Sequence, residues 1–179
     1  NTLFLDRDGV INRRIIDGYV TEWGEFVFLP GALSALRMLS ERFVRIVVVT
    51  NQQGVARGIM SEDQVKDVHR RMISEVESAG GRIDRVYFSP YPEEEGNPFR
   101  KPSIGMALAA RQDIPGIVFT RSVMVGDSLT DLHFGRNAGM ATVFIDEKTE
   151  YPEGGLADMV FDSLYGFANG FRHRLFELL

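Results

Sequence analysis

Two aspartates, Asp6 and Asp8, directly follow a short apolar run near the start of the sequence. Side chains alternate along an extended chain, so both carboxylates are expected on the same side. Two like charges held that close repel each other, and either a divalent cation or a proton on one of them must compensate. Both alternatives indicate a site of chemistry, because carboxylates at a strand end seldom serve packing.

Further polar groups follow later apolar runs. Thr50 and Asn51 follow the second run, Lys101 follows a loop after the third, and Asp127 follows the fourth, with Asp131 one helical turn beyond it. In an open α/β sheet, ligands bind at the carboxyl ends of the strands. Carboxylates suit Mg²⁺, whereas hydroxyl, amide and ammonium donors suit a phosphate group.

Each of these groups also has a structural explanation when it is taken alone. Asp6 or Asp8 could cap a turn, Thr50 and Asn51 could form a turn, Lys101 could be solvated, and Asp127 could belong to a helix-capping turn. The structural explanations are weaker when the groups are considered together, because all of them fall at the same edge of one predicted sheet.

The elements that must position these groups follow from the apolar pattern. Short apolar runs predict strands at Thr2–Asp6, Arg45–Thr50, Ile83–Ser89, Ser122–Gly126 and Thr142–Ile145. Helical patterns lie at Gly31–Ser40, Ser61–Ala79, Ser103–Gln112, Ser128–Ala138 and Asp162–Leu179, the last interrupted near Gly166 or Gly170. The alternation predicts an α/β fold, a doubly wound Rossmann-like parallel sheet with helices on both faces. We expect a single domain over residues 1–179.

Two long loops, Arg7–Pro30 and Pro90–Pro102, interrupt this alternation and are expected to be functional or mobile. The aromatic residues around Trp23 in the first loop could form a substrate wall or pack the loop. The histidines lie in helical patterns without nearby ligand partners, so we predict surface or helix-face positions and no role for His69, His133 and His173.

Composition restricts the class of protein. The chain has 179 residues, 44% of them hydrophobic, which is enough for a packed core. Its net charge of −5 disfavours nucleic acid as a main partner. No apolar run is long enough to span a bilayer, and no basic segment precedes the first strand, so we expect neither a membrane partner nor a signal peptide. The absence of cysteine excludes disulfides and thiol catalysis and is compatible with the predicted cytoplasmic location.

The polar groups together resemble the four motifs of the haloacid dehalogenase (HAD) superfamily of phosphohydrolases. The matching segments are Asp6–Val10, Val49–Asn51, Arg100–Pro102 and Val125–Asp131. A closer resemblance, carried by Phe4–Asn12, Asp17–Val20 and Val49–Gly58, is to the heptose-bisphosphate phosphatase and histidinol-phosphatase branch, which has no large cap domain.

The resemblance implies a Mg²⁺-dependent phosphomonoesterase that acts through an aspartyl-phosphate on a small phosphorylated sugar. We expect D-glycero-D-manno-heptose 1,7-bisphosphate as the substrate. A histidinol-phosphate phosphatase and a non-catalytic phosphate-binding protein are the alternatives. We expect a monomer or weak oligomer.

The resemblance also implies roles for individual residues. Asp6 would be the nucleophile, and Asp8 would protonate the leaving oxygen and later take a proton from water. The carboxylates of Asp6 and Asp127 and the backbone carbonyl of Asp8 would hold Mg²⁺. Lys101 would balance negative charge, and the hydroxyl of Thr50 would bind a phosphoryl oxygen.

Supporting and substrate-binding roles complete this assignment. The backbone amide of Asn51 would bind a second phosphoryl oxygen, and Asp131 would orient Lys101 or the waters of the metal. We predict substrate contacts for Asn12, Gln53, Arg57 and Arg100.

The loop before Lys101 departs from the family pattern. Members of the branch usually carry a cysteine and histidine zinc site there, whereas this chain has Ser89, Tyr91 and Phe99 at the corresponding positions. These side chains do not make a zinc site, so no zinc is expected. We predict that the prolines and Phe99 hold the loop instead.

Overall fold

A six-stranded parallel sheet forms the centre of the molecule. The computed structural model describes residues 1–150, 152 and 154–170. The strands stand in the order β3-β2-β1-β4-β5-β6. Their bounds are β1 Thr2–Leu5, β2 Arg45–Asn51, β3 Arg85–Ser89, β4 Ser122–Gly126, β5 Ala141–Ile145 and β6 Met159–Phe161. This is the doubly wound α/β fold that the alternating pattern predicts.

In the described part of the chain four helices connect the strands, and the four helices predicted between strands are confirmed to within two residues at either end. Their bounds are α1 Ala32–Ser40, α2 Glu62–Ser78, α3 Gly105–Asp113 and α4 Leu129–Ala138. Short 3-10 helices lie in the intervening loops at Trp23–Glu25, Glu93–Glu95 and Phe119–Arg121.

The residues at the two ends of α2 explain why the bounds of this helix are predictable from the sequence. Ser61 caps the first turn by accepting a hydrogen bond from the backbone amide of Gln64, whose side chain accepts from the Ser61 amide in return. The helix ends at Ser78, and Gly80 follows with a φ of 81°, which glycine adopts without strain.

The C-terminal part of the sheet differs from the prediction. No pattern in the sequence predicts β6, because this strand has only three residues and is specified by its parallel pairing with β5. Residues 164–170 are helical, so the predicted final helix begins two residues late and is not interrupted at Gly166. The remainder of that prediction, residues 171–179, lies outside the described residues.

The core occupies both faces of the sheet. Leu3 and Leu5 point to the face covered by α1 and α2, whereas Phe4 points to the face covered by α3 and α4. Because both faces are buried, the central strands read as continuous apolar runs. No helix in the described part of the chain is long and apolar enough to cross a membrane.

The first long loop packs on the core through its aromatic residues. The rings of Trp23 and Phe26 stack at 5.0 Å, and Phe28 meets Phe26 edge-on at the same centroid distance. All three contact the core cluster on the α1 side, and none of them lines the pocket at the strand ends. Of the two alternatives for these residues, packing is therefore correct and the substrate wall is wrong.

The order of the strands determines where a ligand can bind. β1 lies between β2 and β4, and Leu5 is in register with Val48 on one side and Val125 on the other. From β1 the chain adds β2 and β3 on one side of the sheet and then β4, β5 and β6 on the other. This reversal of strand order opens a crevice at the carboxyl ends of the strands. The residues after β1, β2 and β4 therefore meet at one edge.

Candidate active site

A buried lysine stands at the centre of this edge. The Nζ of Lys101 donates hydrogen bonds to Oδ1 of Asp6 at 2.8 Å, to the carbonyl of Val49 at 2.8 Å and to Oδ1 of Asp131 at 2.5 Å. Burial alone would lower the pKa of Lys101, but the carboxylates of Asp131 and Asp6 raise it above its ordinary value. The lysine therefore remains charged beside Asp6.

Asp131 lines the pocket and contacts Lys101 directly. Its side chain is fully buried, and its second oxygen, Oδ2, accepts hydrogen bonds from the backbone amide and the hydroxyl of Ser128 at the start of α4. Of the two roles predicted for Asp131, the structure supports the one in which it orients the lysine.

Three carboxylates crowd the site beside this lysine. Asp6, Asp127 and Asp131 each offer an oxygen atom, and these atoms lie within 4.8 Å of one another. Burial and the neighbouring carboxylates raise the pKa of Asp6 to about 6 and that of Asp127 to about 8. The site therefore holds more negative charge than Lys101 balances, and its oxygen donors fit a hard cation such as Mg²⁺.

A second basic side chain already reaches the predicted metal ligands. Nη2 of Arg14 donates to Oδ1 of Asp127 at 2.8 Å and approaches the backbone carbonyl of Asp8 at 3.4 Å. A protein cation thus contacts two of the three groups that the sequence analysis assigns to Mg²⁺, which supports that assignment. No motif in the sequence indicates Arg14, because only the path of the first loop brings it to the site.

Asp8 is held by a separate network. Nη2 of Arg7 donates to both carboxylate oxygens of Asp8 at 3.0 and 2.9 Å. Nδ2 of Asn12 donates to Oδ1 at 2.9 Å, and Nε2 of Gln52 donates to Oδ2 at 2.8 Å. Burial would raise the pKa of Asp8, but Arg7 and the hydrogen bonds lower it below its ordinary value. Asp8 is therefore ionised at neutral pH.

This network corrects the assignment of Asn12. Its side chain is fully buried and does not line the pocket, which contradicts the predicted substrate contact. It orients Asp8 instead. Gln52 and Arg7 are not among the predicted site residues. For Arg7, alternation along an extended chain predicts a side chain on the opposite side from its neighbours.

His69 is a further correction. The sequence predicts a surface or helix-face position without a role, yet the side chain on α2 is buried and its Nε2 lies 2.9 Å from Nη1 of Arg7. Burial and the adjacent guanidinium lower the pKa of His69 to about 3, so its imidazole is neutral. His133 is exposed, as predicted, and His173 lies outside the described residues.

The end of β2 provides groups that face the pocket. The hydroxyl of Thr50 accepts a hydrogen bond from Nε2 of Gln52 at 2.9 Å and retains its own proton for a ligand. The side-chain amide of Asn51 donates to the carbonyl and accepts from the amide of Lys101, both at 3.1 Å. The side chain of Asn51 therefore holds the backbone of Lys101, and only the main chain of Asn51 remains to bind a phosphate.

These residues open into a pocket of about 600 Å³. Gln53, Arg57 and Arg100 line it, as their predicted substrate contacts require. Nη1 of Arg100 donates to the carbonyl of Tyr91 at 3.2 Å, so the loop before Lys101 holds this arginine. Arg57 is exposed to solvent where it lines the pocket.

The loop before Lys101 is held by packing and local hydrogen bonds. Phe99 packs against the core cluster on the α3 side. The amides of Phe99 and Arg100 donate to the side-chain and backbone oxygens of Asn97, each at 2.9 Å. Phe99 thus holds this loop in the described structure, as proposed from the sequence, and the absence of zinc stays a prediction.

Two glycines allow the carboxylates to approach the backbone. A Cβ atom on Gly9, whose φ is +89°, would lie 1.9 Å from Oδ2 of Asp127. A Cβ atom on Gly126 would lie 2.1 Å from Cβ of Asp131. Both distances are far below van der Waals contact, so glycine is required at these positions in the first and fourth motifs.

Comparison with known sequences identifies the family. The HAD-hydrolase-like family model matches residues 98–165. A D-glycero-alpha-D-manno-heptose-1,7-bisphosphate 7-phosphatase from Mycobacterium bovis is 41% identical over 176 residues, which are 96% of this chain and 91% of the relative. A D-glycero-beta-D-manno-heptose-1,7-bisphosphate 7-phosphatase from Haemophilus influenzae is 38% identical over 90% of this chain and 91% of its own length.

Solved structures agree with the sequence relatives. The D,D-heptose 1,7-bisphosphate phosphatase from B. bronchiseptica, complexed with magnesium and phosphate, superposes with a TM-score of 0.82 at 30% identity, over 97% of this chain and 98% of that chain. The corresponding phosphatase from Burkholderia thailandensis has a TM-score of 0.68 at 32% identity and covers 96% of this chain and 97% of its own. The chain therefore belongs to the heptose-bisphosphate phosphatase family of the HAD superfamily and is a phosphoric monoester hydrolase.

Proposed function

We propose that this phosphatase removes the 7-phosphate of D-glycero-D-manno-heptose 1,7-bisphosphate through an aspartyl-phosphate on Asp6. The buried contact between Asp6 and Lys101, next to Asp127 and open to an arginine-lined pocket, carries the proposal. The names of the relatives support the choice of substrate and of the phosphate removed.

In the first half of the reaction, a carboxylate oxygen of Asp6 attacks phosphorus in line. The bond between phosphorus and the sugar oxygen breaks, and Asp8 transfers a proton to that oxygen. Lys101 keeps Asp6 ionised and offsets negative charge on the phosphoryl group. Mg²⁺, held by Asp6, Asp127 and the Asp8 carbonyl, would supply the remaining compensation for the repulsion between two anions.

In the second half, water attacks the phosphorus of the aspartyl-phosphate and gives a proton to Asp8. The acyl-phosphate bond breaks, Asp6 is regenerated as a carboxylate and inorganic phosphate leaves. The hydroxyl of Thr50 and the backbone amide of Asn51 would hold equatorial oxygens, over which charge spreads in a loose transition state. Asp8 is ionised in the free protein, which is the state that can accept a proton from water in this half of the cycle.

Asp8 must carry a proton for the first half. The approach of a phosphate dianion makes ionisation of Asp8 less favourable, because like charges at close range raise the pKa of a carboxyl group. The substrate itself thus promotes the protonated state that the leaving group requires.

The pocket favours a substrate with a second anionic group. Arg57 and Arg100 line it beyond the groups that contact Asp6 and Asp127, and a guanidinium binds phosphate in a bidentate manner. A heptose bisphosphate supplies such a second phosphate, whereas histidinol phosphate would bring an ammonium group towards these arginines.

Substitution of Asp6 by asparagine tests the mechanism. We expect Asp6→Asn to lower phosphate release more than about a hundredfold, because the amide is a poor nucleophile. Asp63→Asn on the exposed start of α2 is the matched control and should keep full activity. Activity of the Asp6 variant within tenfold of the unaltered enzyme would exclude the aspartyl-phosphate mechanism.

A substrate panel tests the specificity. Both anomers of heptose 1,7-bisphosphate and histidinol phosphate should be assayed side by side with Mg²⁺, with and without a chelator. We expect Mg²⁺-dependent release of the 7-phosphate from at least one heptose anomer. A clear preference for histidinol phosphate would reverse the assignment, and no turnover of any phosphosugar would favour the non-catalytic alternative.

The remaining assignments belong to the same proposal. We place the enzyme in the cytoplasm as one domain over residues 1–179, acting as a monomer or weak oligomer on a small phosphorylated sugar, with no zinc, nucleic acid or membrane partner. Light scattering after size-exclusion chromatography measures the oligomeric state.

A further inference from the structure

A buried chain of hydrogen bonds links α2 to the general acid of the reaction. Nη1 of Arg7 lies 2.9 Å from Nε2 of His69, and Nη2 of the same guanidinium contacts both oxygens of Asp8. Arg7 is only 1% exposed and His69 5%. A buried guanidinium remains charged, and each of its donors left without an acceptor is costly.

The chemistry of arginine fixes the state of the histidine. A guanidinium has five N–H donors and no acceptor, so the atom facing Nη1 must be an unprotonated nitrogen. His69 is therefore the neutral tautomer with its proton on Nδ1. Its ring is held by an edge-on contact with Phe88 at 5.7 Å between centroids, so the acceptor is fixed in direction.

We propose that His69 is a positioning residue for the phosphatase reaction, which orients Asp8 towards the leaving oxygen through Arg7. By accepting from Nη1, His69 keeps the guanidinium in the orientation in which Nη2 reaches both Asp8 oxygens. The histidine itself touches neither substrate nor reacting atoms, because Arg7 lies between it and Asp8.

Arg7 has little other support for this orientation. Its Nε atom is buried and has no hydrogen-bond partner in the structure. Loss of the His69 acceptor would leave a second donor of the same guanidinium unpaired, and the group would have to move to satisfy it. Asn12 and Gln52 would still hold Asp8, so the orientation would be impaired rather than lost.

The test compares leaving groups that need the general acid to different degrees. Phenol leaves poorly without protonation, whereas p-nitrophenol leaves readily. For His69→Leu we expect kcat/KM with phenyl phosphate to fall about tenfold or more, and kcat/KM with p-nitrophenyl phosphate to fall less than about threefold. The ratio kcat/KM is the right measure, because it reports the steps up to departure of the leaving group and not the hydrolysis of the aspartyl-phosphate that both substrates share.

Two further variants separate positioning from packing. His69→Gln retains an acceptor near the position of Nε2 and should restore most of the activity on phenyl phosphate. Val68→Ala removes a buried neighbour on α2 without a polar contact, so it should lower stability and leave the ratio of the two kcat/KM values unchanged. Equal losses of kcat/KM on both substrates or a failure of His69→Gln to recover activity would overturn the proposal.

A measurement on the unaltered protein does not depend on how the variants fold. Nitrogen-15 NMR of the His69 ring should show a protonated Nδ1 and an unprotonated Nε2. A proton on Nε2 would be incompatible with acceptance from Arg7 and would overturn the proposal on its own.

Discussion

At the scale of single residues, the two aspartates of the first motif have opposite electrostatic environments. Asp6 is paired with Lys101 but surrounded by other carboxylates, and its pKa rises to about 6. Asp8 is surrounded by donors from Arg7, Asn12 and Gln52, which lower its pKa. The spacing of the pair predicts a shared site, whereas their distinct roles depend on partners that lie elsewhere in the chain.

Arg14 leads to a prediction about metal affinity. Its guanidinium contacts Asp127 and the Asp8 carbonyl, so Mg²⁺ must displace it to use the same oxygens. The side chain is half exposed, so its ion pair is worth about 0.2–1 kcal/mol. We expect Arg14→Gln to bind Mg²⁺ about two- to fivefold more tightly in a calorimetric titration.

The neighbouring arginine provides the control for this titration. Arg13 is also exposed to solvent but does not contact the predicted metal ligands. Arg13→Gln removes the same charge from the same loop and should change the affinity less. Equal effects of the two variants would mean that net charge, and not the contact with Asp127, determines the competition.

At the scale of elements, the turn between β4 and α4 joins the sheet to the site. Gly126 ends β4, and Asp131 in the first turn of α4 reaches back to Lys101. The helix can approach the strand this closely only because Gly126 has no side chain. The glycine and the aspartate of the fourth motif therefore form one structural unit.

Gly126→Ala tests this unit. The added methyl group would overlap Cβ of Asp131, a rigid neighbour, so either the helix or the strand must shift. We expect a loss of about 1–3 kcal/mol in the free energy of unfolding and a marked loss of phosphatase activity. Gly24→Ala is the control, because the nearest atom to its added Cβ is 3.8 Å away. Unchanged activity of Gly126→Ala would show that Lys101 does not depend on this contact.

At the scale of the whole molecule, stability, pH and metal binding are linked. Asp6 and Asp127 have pKa values of about 6 and about 8 in the folded protein, against an ordinary value of 3.8. The folded state therefore binds more protons than the unfolded chain over this range. These two groups consequently lower the stability of the metal-free protein as the pH rises from about 4 to about 8.

Magnesium should reverse this loss. Mg²⁺ binds ionised carboxylates, so protons compete with it less as the pH rises. At a fixed Mg²⁺ concentration we expect the gain in melting temperature, measured by calorimetry, to be larger at about pH 8 than at about pH 6. Asp127→Asn should abolish most of the gain at both values. A gain that is independent of pH would contradict the raised pKa of Asp127.

The sequence by itself determined the strands of the central sheet, the helices between them and the groups at the strand ends. Local features carry this information: apolar runs, the capping box of α2 and polar residues in a fixed order along the chain. The short strand β6 was not predictable, because pairing with β5 specifies it.

Only the tertiary structure decided which side chains act on the two aspartates. His69 lies 62 residues from Arg7 along the chain, Arg14 lies 113 residues from Asp127, and neither spacing carries a signal. The sequence predicts a substrate contact for Asn12, yet the turn at Gly9 directs its side chain to Asp8. Contacts between distant segments depend on how the layers pack, and packing is a property of the whole chain that no local pattern encodes.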